Sequence, residues 1–228
     1  MAVRCSSSRT SSDGPAASVN VRHYPVTVQT MELATWAEET ARTHLAEHLP
    51  RRWAHSQGVA ARARTLAPLL GDDADLLEAA AWLHDVGYAP HLASAGFHPL
   101  DGARFLRDTE PVPAAMSARQ AICRLVAYHS CAMNEAAERG IAQIVAAEFP
   151  PPRRDLLAAL TYCDVTTSPD GIPVLFEQRL AEILSRYGPD HLVTRSVTRS
   201  APQLRADVAA ITGRLAAATA DVLALAAT

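Results

Sequence analysis

The dipeptide His84-Asp85 closes an apolar run, LLEAAAWLHD, and four more groups with metal-binding chemistry stand in similar surroundings: His55, His98, His129 and Asp164. A histidine facing a core is costly unless it is hydrogen-bonded or coordinated. Taken singly, each is more often a hydrogen-bonded structural group than a ligand, and Asp164 alone could cap a neighbour. The ordered set His, His-Asp, His, His, Asp points to a metal site. Imidazole and carboxylate suit divalent transition metals such as Fe, Mn, Zn or Co. Six ligands exceed what one tetrahedral ion uses, so two metals per chain are expected. Two such ions can share a hydroxide, polarise a phosphoryl oxygen and lower the pKa of water to about 7.

Helical period places these groups on buried stripes. Leu76, Leu77, Ala80, Leu83 and His84 follow the i, i+3, i+4 pattern of one face. Ile122, Leu125, Val126 and His129 repeat it, as do Leu157, Leu160, Thr161 and Asp164, while His55 opens a stripe continued by Val59 and Leu66. His98 precedes Pro99, which suits a helix entry. Helical runs are predicted near 31–48, 52–70, 73–86, 99–108, 114–130, 135–148, 153–166, 175–187 and 203–226, separated by Gly71-Asp72 and by prolines at 111–113, 150–152 and 169–173. With no alternating strand pattern, the fold class is all-α. The last run carries Leu204, Val208, Ile211, Leu215, Val222 and Leu225. It is expected on the core, with a homodimer contact as the alternative.

Composition narrows the function. The 228 residues suffice for one large helical domain. All 21 basic residues are arginine, and the net charge of −3 argues against nucleic acid as a partner. No run has the length of a membrane span, so no membrane partner is expected. Cys5, Cys123, Cys131 and Cys163 show no paired C-x-x-C spacing, which with Cys123 and Cys163 in apolar runs suggests a reducing, cytoplasmic location. Residues 1–29 are Ser-rich with one acid, Asp13, and are expected to form a disordered tail. Met31 opens the first amphipathic run, so a start codon assigned too early is one reading. No glycine-rich phosphate loop and no G-x-S-x-G nucleophile motif is present.

The chain resembles the HD-domain superfamily of metal-dependent phosphohydrolases. The matching segments are RRWAHSQGVA around His55, AAWLHDVGY around the pair, and LTYCDVTTSPDG around Asp164. His98 in GFHPLDGARFL and His129 in VAYHS match the extra histidines of the two-metal branch. The tail segment FEQRLAEILSRYGPDH is similar to that of small bacterial HD proteins. The resemblance implies a single HD-type helical domain over 30–228 with its ligand core at 50–170. It also implies that His55, His84, Asp85 and Asp164 hold one metal, and that Asp85 bridges to a second held by His98 and His129. One departure matters: many relatives carry Lys or Arg where this chain has Tyr88, and a cation beside the substrate is missing there. The Gly-Tyr-Pro motif of the cyclic-dinucleotide branch is absent.

The expected activity is hydrolysis of a phosphate ester or anhydride of a small, nucleotide-like molecule by metal-activated water. His84, Asp85 and Asp164 would be the catalytic groups. Arg51 and Arg52 are candidate phosphate contacts, because the planar guanidinium fork is bidentate. Arg153 and Arg154 are weaker candidates, and His91, just past the pair, could touch substrate at the site mouth. Two other functions share the ligand set: a di-iron oxygenase on the same fold, and a non-catalytic nucleotide-binding sensor. His44 and His48 are expected on an exposed helix face and His191 at a helix start.

Overall fold

A computed structural model describes residues 32–110 and 112–226, without the side chains of 222, 223, 225 and 226. The expectations for residues 1–29, Met31, Cys5 and His23, and for the Val222 and Leu225 side chains, lie outside what is described. The described chain is helical: α1 (Leu33–Leu45), α2 (Pro50–Thr65), α3 (Ala67–Leu70), α4 (Ala74–Leu83), α5 (His98–Asp108), α6 (Met116–Tyr128), α7 (Ala132–Glu138), α8 (Ala142–Glu148), α9 (Arg154–Val165), α10 (Phe176–Arg186) and α11 (Leu192–Ala226). Among the described residues no strand forms; Thr167 and Pro173 make one isolated bridge. No described helix is long and apolar enough to cross a membrane.

Helix α4 is the hub. It packs on α1, α2, α6 and α9, and its Ala79, Ala80 and Ala81 are fully buried. Three small side chains in a row let neighbouring helices approach closely on several sides, which is how a helix apolar all round becomes a central one. Most of the expected stripes are buried: Leu77, Leu83, Ile122, Leu125, Val126 and Leu160 belong to the main core, with Leu76 and Leu157 partly buried at its edge. Trp53 of α2 stacks on Trp82 of α4 with centroids 5.3 Å apart. A smaller cluster of Val165, Phe176, Leu180, Ala201 and Leu204 joins α9, α10 and α11.

Three boundaries differ from expectation, each for a local reason. The run 52–70 breaks into α2 and α3 at Leu66, because Pro68 cannot donate to the fourth residue before it. The run 135–148 divides into α7 and α8 around Gly140, whose φ of +72° ends the first helix. The last helix begins at Leu192 and carries Pro202 inside it. Pro202 deprives the Thr198 carbonyl of its donor, but Thr198 is exposed, so water can take the place. His191 caps this helix, its Nδ1 accepting from the Val193 amide at 3.1 Å.

Candidate metal centre

The helix ends converge on one point. His84 sits at the C-terminal cap of α4 and Asp85 just beyond it. A carboxylate there faces the negative end of the helix dipole and is disfavoured without positive neighbours. His55 projects from α2, Asp164 from the last turn of α9, and His98 begins α5. His129 follows α6, where the chain turns through Ser130 and Cys131, both with left-handed backbone (φ +49° and +61°). Two adjacent non-glycine residues in that region cost about 1–2 kcal/mol each. Such strain persists where surrounding contacts over-determine it. Here it sets His129 in the site and brings the Ser130 hydroxyl to Asp164 Oδ2.

The six side chains form two triads: His55, His84 and Asp164, and Asp85, His98 and His129. His55, His84, Asp85 and His129 are almost fully buried. Asp85 lies between the triads. Its Oδ2 is 3.3 Å from His84 Nε2 and 3.9 Å from His55 Nε2, while its Oδ1 is 3.3 Å from His98 Nε2 and 3.8 Å from His129 Nε2. Asp164 Oδ1 is 3.0 Å from His55 Nε2.

Three of the imidazoles are held by their other nitrogen. Nδ1 of His84 donates to the Ala81 carbonyl at 2.7 Å, Nδ1 of His129 to the Val126 carbonyl at 2.7 Å, and Nδ1 of His55 to the Ser168 carbonyl at 2.9 Å. These bonds fix the tautomer with the Nε2 lone pair turned inward, the arrangement of metal-bound histidine. His84 Nε2 is buried without a hydrogen-bond partner, and the Nε2 atoms of His98 and His129 face each other at 3.3 Å. Lone pairs gathered beside two carboxylates call for a cation. The residues therefore fit the divalent metal that the donor set implies.

The electrostatics agree. Burial would raise the Asp85 carboxyl, but Arg52 and His84 hold it well below the usual range. Burial likewise opposes ionisation of Asp164, and His55 and His84 overcome it. Burial pushes His84 down, yet Asp85 and Asp164 outweigh it and bring it up to about 9. His129 goes the other way, to about 4, through burial and the neighbouring His84 and His98. The surroundings thus favour ionised carboxylates, and without metal the His84 imidazole gains a proton to balance them.

Arg52 supplies what the position of Tyr88 lacks. Its Nη1 bonds Asp85 Oδ2 at 2.6 Å, and its guanidinium lies 4.1 Å over the Tyr88 ring. The other stacking partner of Tyr88 is His98, with centroids 3.8 Å apart. The cation therefore arrives from α2 rather than from the segment after the pair. Arg62 braces α9 by donating to the Thr166 hydroxyl at 2.7 Å and the Thr166 carbonyl at 3.1 Å.

Arg52, Asp85, Tyr88, His98, His129 and Asp164 line a cavity of about 130 Å³ that also includes Ser130, Glu135 and Arg179. Sequence reasoning missed all three; the left-handed backbone at Ser130 has no sequence signal, and Arg179 reads as one more helix charge. Other expected contacts lie elsewhere. Arg51 is exposed and paired with Asp170 at 2.7 Å, and it lines a separate cavity at the start of α2. His91 is not part of the 130 Å³ cavity; it bonds His44 at 2.8 Å instead. That contact leaves His44 half-buried, and His48 lies past the end of α1, so the pair does not share a helix face. Arg153 pairs with Asp155 and Asp73, and Arg154 with Asp207. Asp101 accepts from Ser94 Oγ and the Ala95 amide, closing the loop before α5. A wider cavity of about 450 Å³ between α6 and α9 holds none of the candidate ligands.

Comparison with curated proteins and with solved structures found no match. A family model described as HD domain matches residues 52–166, half of the 228-residue chain. The match runs from Arg52, which anchors Asp85, to Thr166, just past Asp164, and so spans all six clustered side chains. Such domains are typically found in metal-dependent phosphohydrolases, and they imply divalent metal binding. The chain belongs to the HD domain family.

Proposed function

We propose that the protein is a two-metal phosphohydrolase acting on a phosphate ester or anhydride of a small, nucleotide-like molecule, with residues 30–228 as its single domain. The observation that carries this is the placement of Asp85, with one carboxylate oxygen toward each triad. His55, His84 and Asp164 would hold one ion and His98 and His129 the other, with Asp85 shared. Fe, Mn, Zn and Co all suit this donor set. When bound, such ions supply a water of lowered pKa and polarise a phosphoryl oxygen.

The chain's own residues do the rest. The carbonyls of Ala81, Val126 and Ser168 orient three imidazoles. Ser130 steadies Asp164, and Arg52 steadies Asp85 while presenting a guanidinium to the cavity. The depressed carboxyls of Asp85 and Asp164 favour the ionised form, so their task is charge and position.

The test is phosphate release from p-nitrophenyl phosphate and a panel of nucleotides by protein loaded with Mn, Fe, Co or Zn, with and without oxygen. Equal release in both atmospheres is the expected result. Turnover that requires and consumes dioxygen would assign the site to oxygenase chemistry, and nucleotide binding without turnover would make it a sensor.

A further inference from the structure

Helix α10 lies beyond the segment matched by the HD family, yet it places one side chain in the 130 Å³ cavity: Arg179. Arg179 is 8% exposed. Among the described residues the only hydrogen bond of its side chain runs from Nη1 to Glu182, one turn along the same helix. Its Nε is buried with no partner. A guanidinium has five N–H donors, and here most of them meet no protein acceptor. Burying such a group is unfavourable unless its charge and donors are matched. Glu182 is a poor match, being partly exposed and shared with Arg186.

The other cations of the cavity region are paired with carboxylates that themselves line it. Arg52 is bonded to Asp85, and Arg139 pairs with Glu135 at 2.8 Å. Glu135 faces the cavity too, but with its charge offset by that pair. Among the described residues that line the cavity, Arg179 is the arginine whose carboxylate partner, Glu182, lies outside it, so its remaining donors stand beside Asp85, His98, His129, Ser130 and Asp164 with no cavity carboxylate holding the guanidinium. We propose that Arg179 is the substrate's phosphoryl clamp, its guanidinium bonding two oxygens of a terminal phosphoryl group in this cavity. A planar fork matches two phosphate oxygens, which is the general reason arginine serves this role.

The shape agrees with a terminal group. A wider groove of about 320 Å³ shares Tyr88, His98 and Glu135 with the cavity and extends to Tyr187 and His191, stacked with centroids 4.8 Å apart. The small polar chamber takes the phosphoryl group, and the groove leaves room for the rest of a phosphomonoester or terminal anhydride. Arg179 thus brings into the site an element that the family match does not include.

This assignment rests on the phosphohydrolase reading, and inorganic phosphate separates the two. Phosphate is titrated calorimetrically into manganese-loaded wild type, Arg179→Gln, Arg179→Lys and Glu182→Gln, with manganese content measured in each. Arg179→Gln should weaken phosphate by roughly ten- to a hundredfold, the range for a hydrogen bond to a charged group, with manganese retained. Arg179→Lys should recover part of the loss, because the charge returns without the fork. Glu182→Gln, on a partly exposed residue, neutralises the competing carboxylate and should tighten phosphate; it decides the matter if Arg179→Gln does not fold. Unchanged affinity in Arg179→Gln, or unchanged or weaker affinity in Glu182→Gln, overturns the clamp and leaves the phosphohydrolase reading standing. Wild type that holds manganese but binds no phosphate overturns both.

Discussion

Gly58→Ala sets two effects against each other. Gly58 lies inside α2, and replacing an interior helical glycine by alanine ordinarily stabilises by about 0.5–1 kcal/mol. Here a Cβ would stand 2.7 Å from the Gly171 carbonyl carbon and Cα, and nearer still to its oxygen. The loop must withdraw by about 1 Å to reach the ~3.5–4.0 Å of an ordinary carbon contact. It cannot settle elsewhere easily, because Gly171 itself lies against the Ala54 carbonyl with φ +79°. The same loop carries the Ser168 carbonyl that holds His55 Nδ1 at 2.9 Å, and a shift of about 1 Å takes that bond past the ~3.2 Å limit. Overpacking of this kind costs about 1–3 kcal/mol, so against the helical gain the net effect is a loss of up to about 2.5 kcal/mol. Losing an outer partner of a ligating histidine lowers metal affinity about 10–100-fold. Thermal melts of the metal-free protein and chelator-competition titrations would measure both. Gly213→Ala is the control, since nothing lies within 4 Å of a Cβ on that α11 glycine; it should gain the ordinary helical stabilisation. The reasoning is refuted if Gly58→Ala behaves like Gly213→Ala and keeps wild-type metal affinity.

Two further outcomes follow from the same geometry. Asp85→Asn should lose more metal and more activity than His129→Ala, because one removes charge from both triads and the other a single ligand; a unit charge 3.3 Å from the carboxylate, the distance of His84 and His98 Nε2, is worth ~5 kcal/mol at an effective dielectric of about 20. Metal content, turnover and far-UV circular dichroism on both variants would check it, and wild-type turnover with full metal in Asp85→Asn would redraw the site around another carboxylate, Asp164 first. Away from the metal centre, hydrogen bonds from Arg104 and Arg107 draw Glu148 down from 4.5 to about 2. Its contribution to stability is present above pH 4.5 and lost as pH falls through about 2; Glu148→Gln should therefore melt lower than wild type at pH 6 and no lower at pH 2, with melting midpoints across that range as the readout.

Much of this was legible in the chain. The stripes ending in His84, His129 and Asp164 follow from helical period alone, and Pro99 marked His98 as a helix entry. Period tells which face a residue takes, but not which helix ends meet. The meeting of α2, α4, α5, α6 and α9 at Asp85 is a property of packing. Arg52 was named as a phosphate contact by its nearness to His55, but its bond to Asp85 spans 33 positions and compensates for Tyr88. Ser130 and Arg179 carried no signal, since a strained serine and a buried arginine look like ordinary polar residues in a string. Proline and glycine misled in both directions: the last run was expected only from 203, yet α11 begins earlier and holds Pro202 inside it, while Gly140 was read as helical and ends α7.

The central claim is a pair of metal sites sharing Asp85, and metal stoichiometry tests it most directly. Protein purified without chelator and saturated with Mn or Fe should carry close to two ions per chain by elemental analysis, falling to about one in His98→Ala or His129→Ala. A stoichiometry near one that neither substitution changes would contradict the account and leave a mononuclear centre of His55, His84, Asp85 and Asp164.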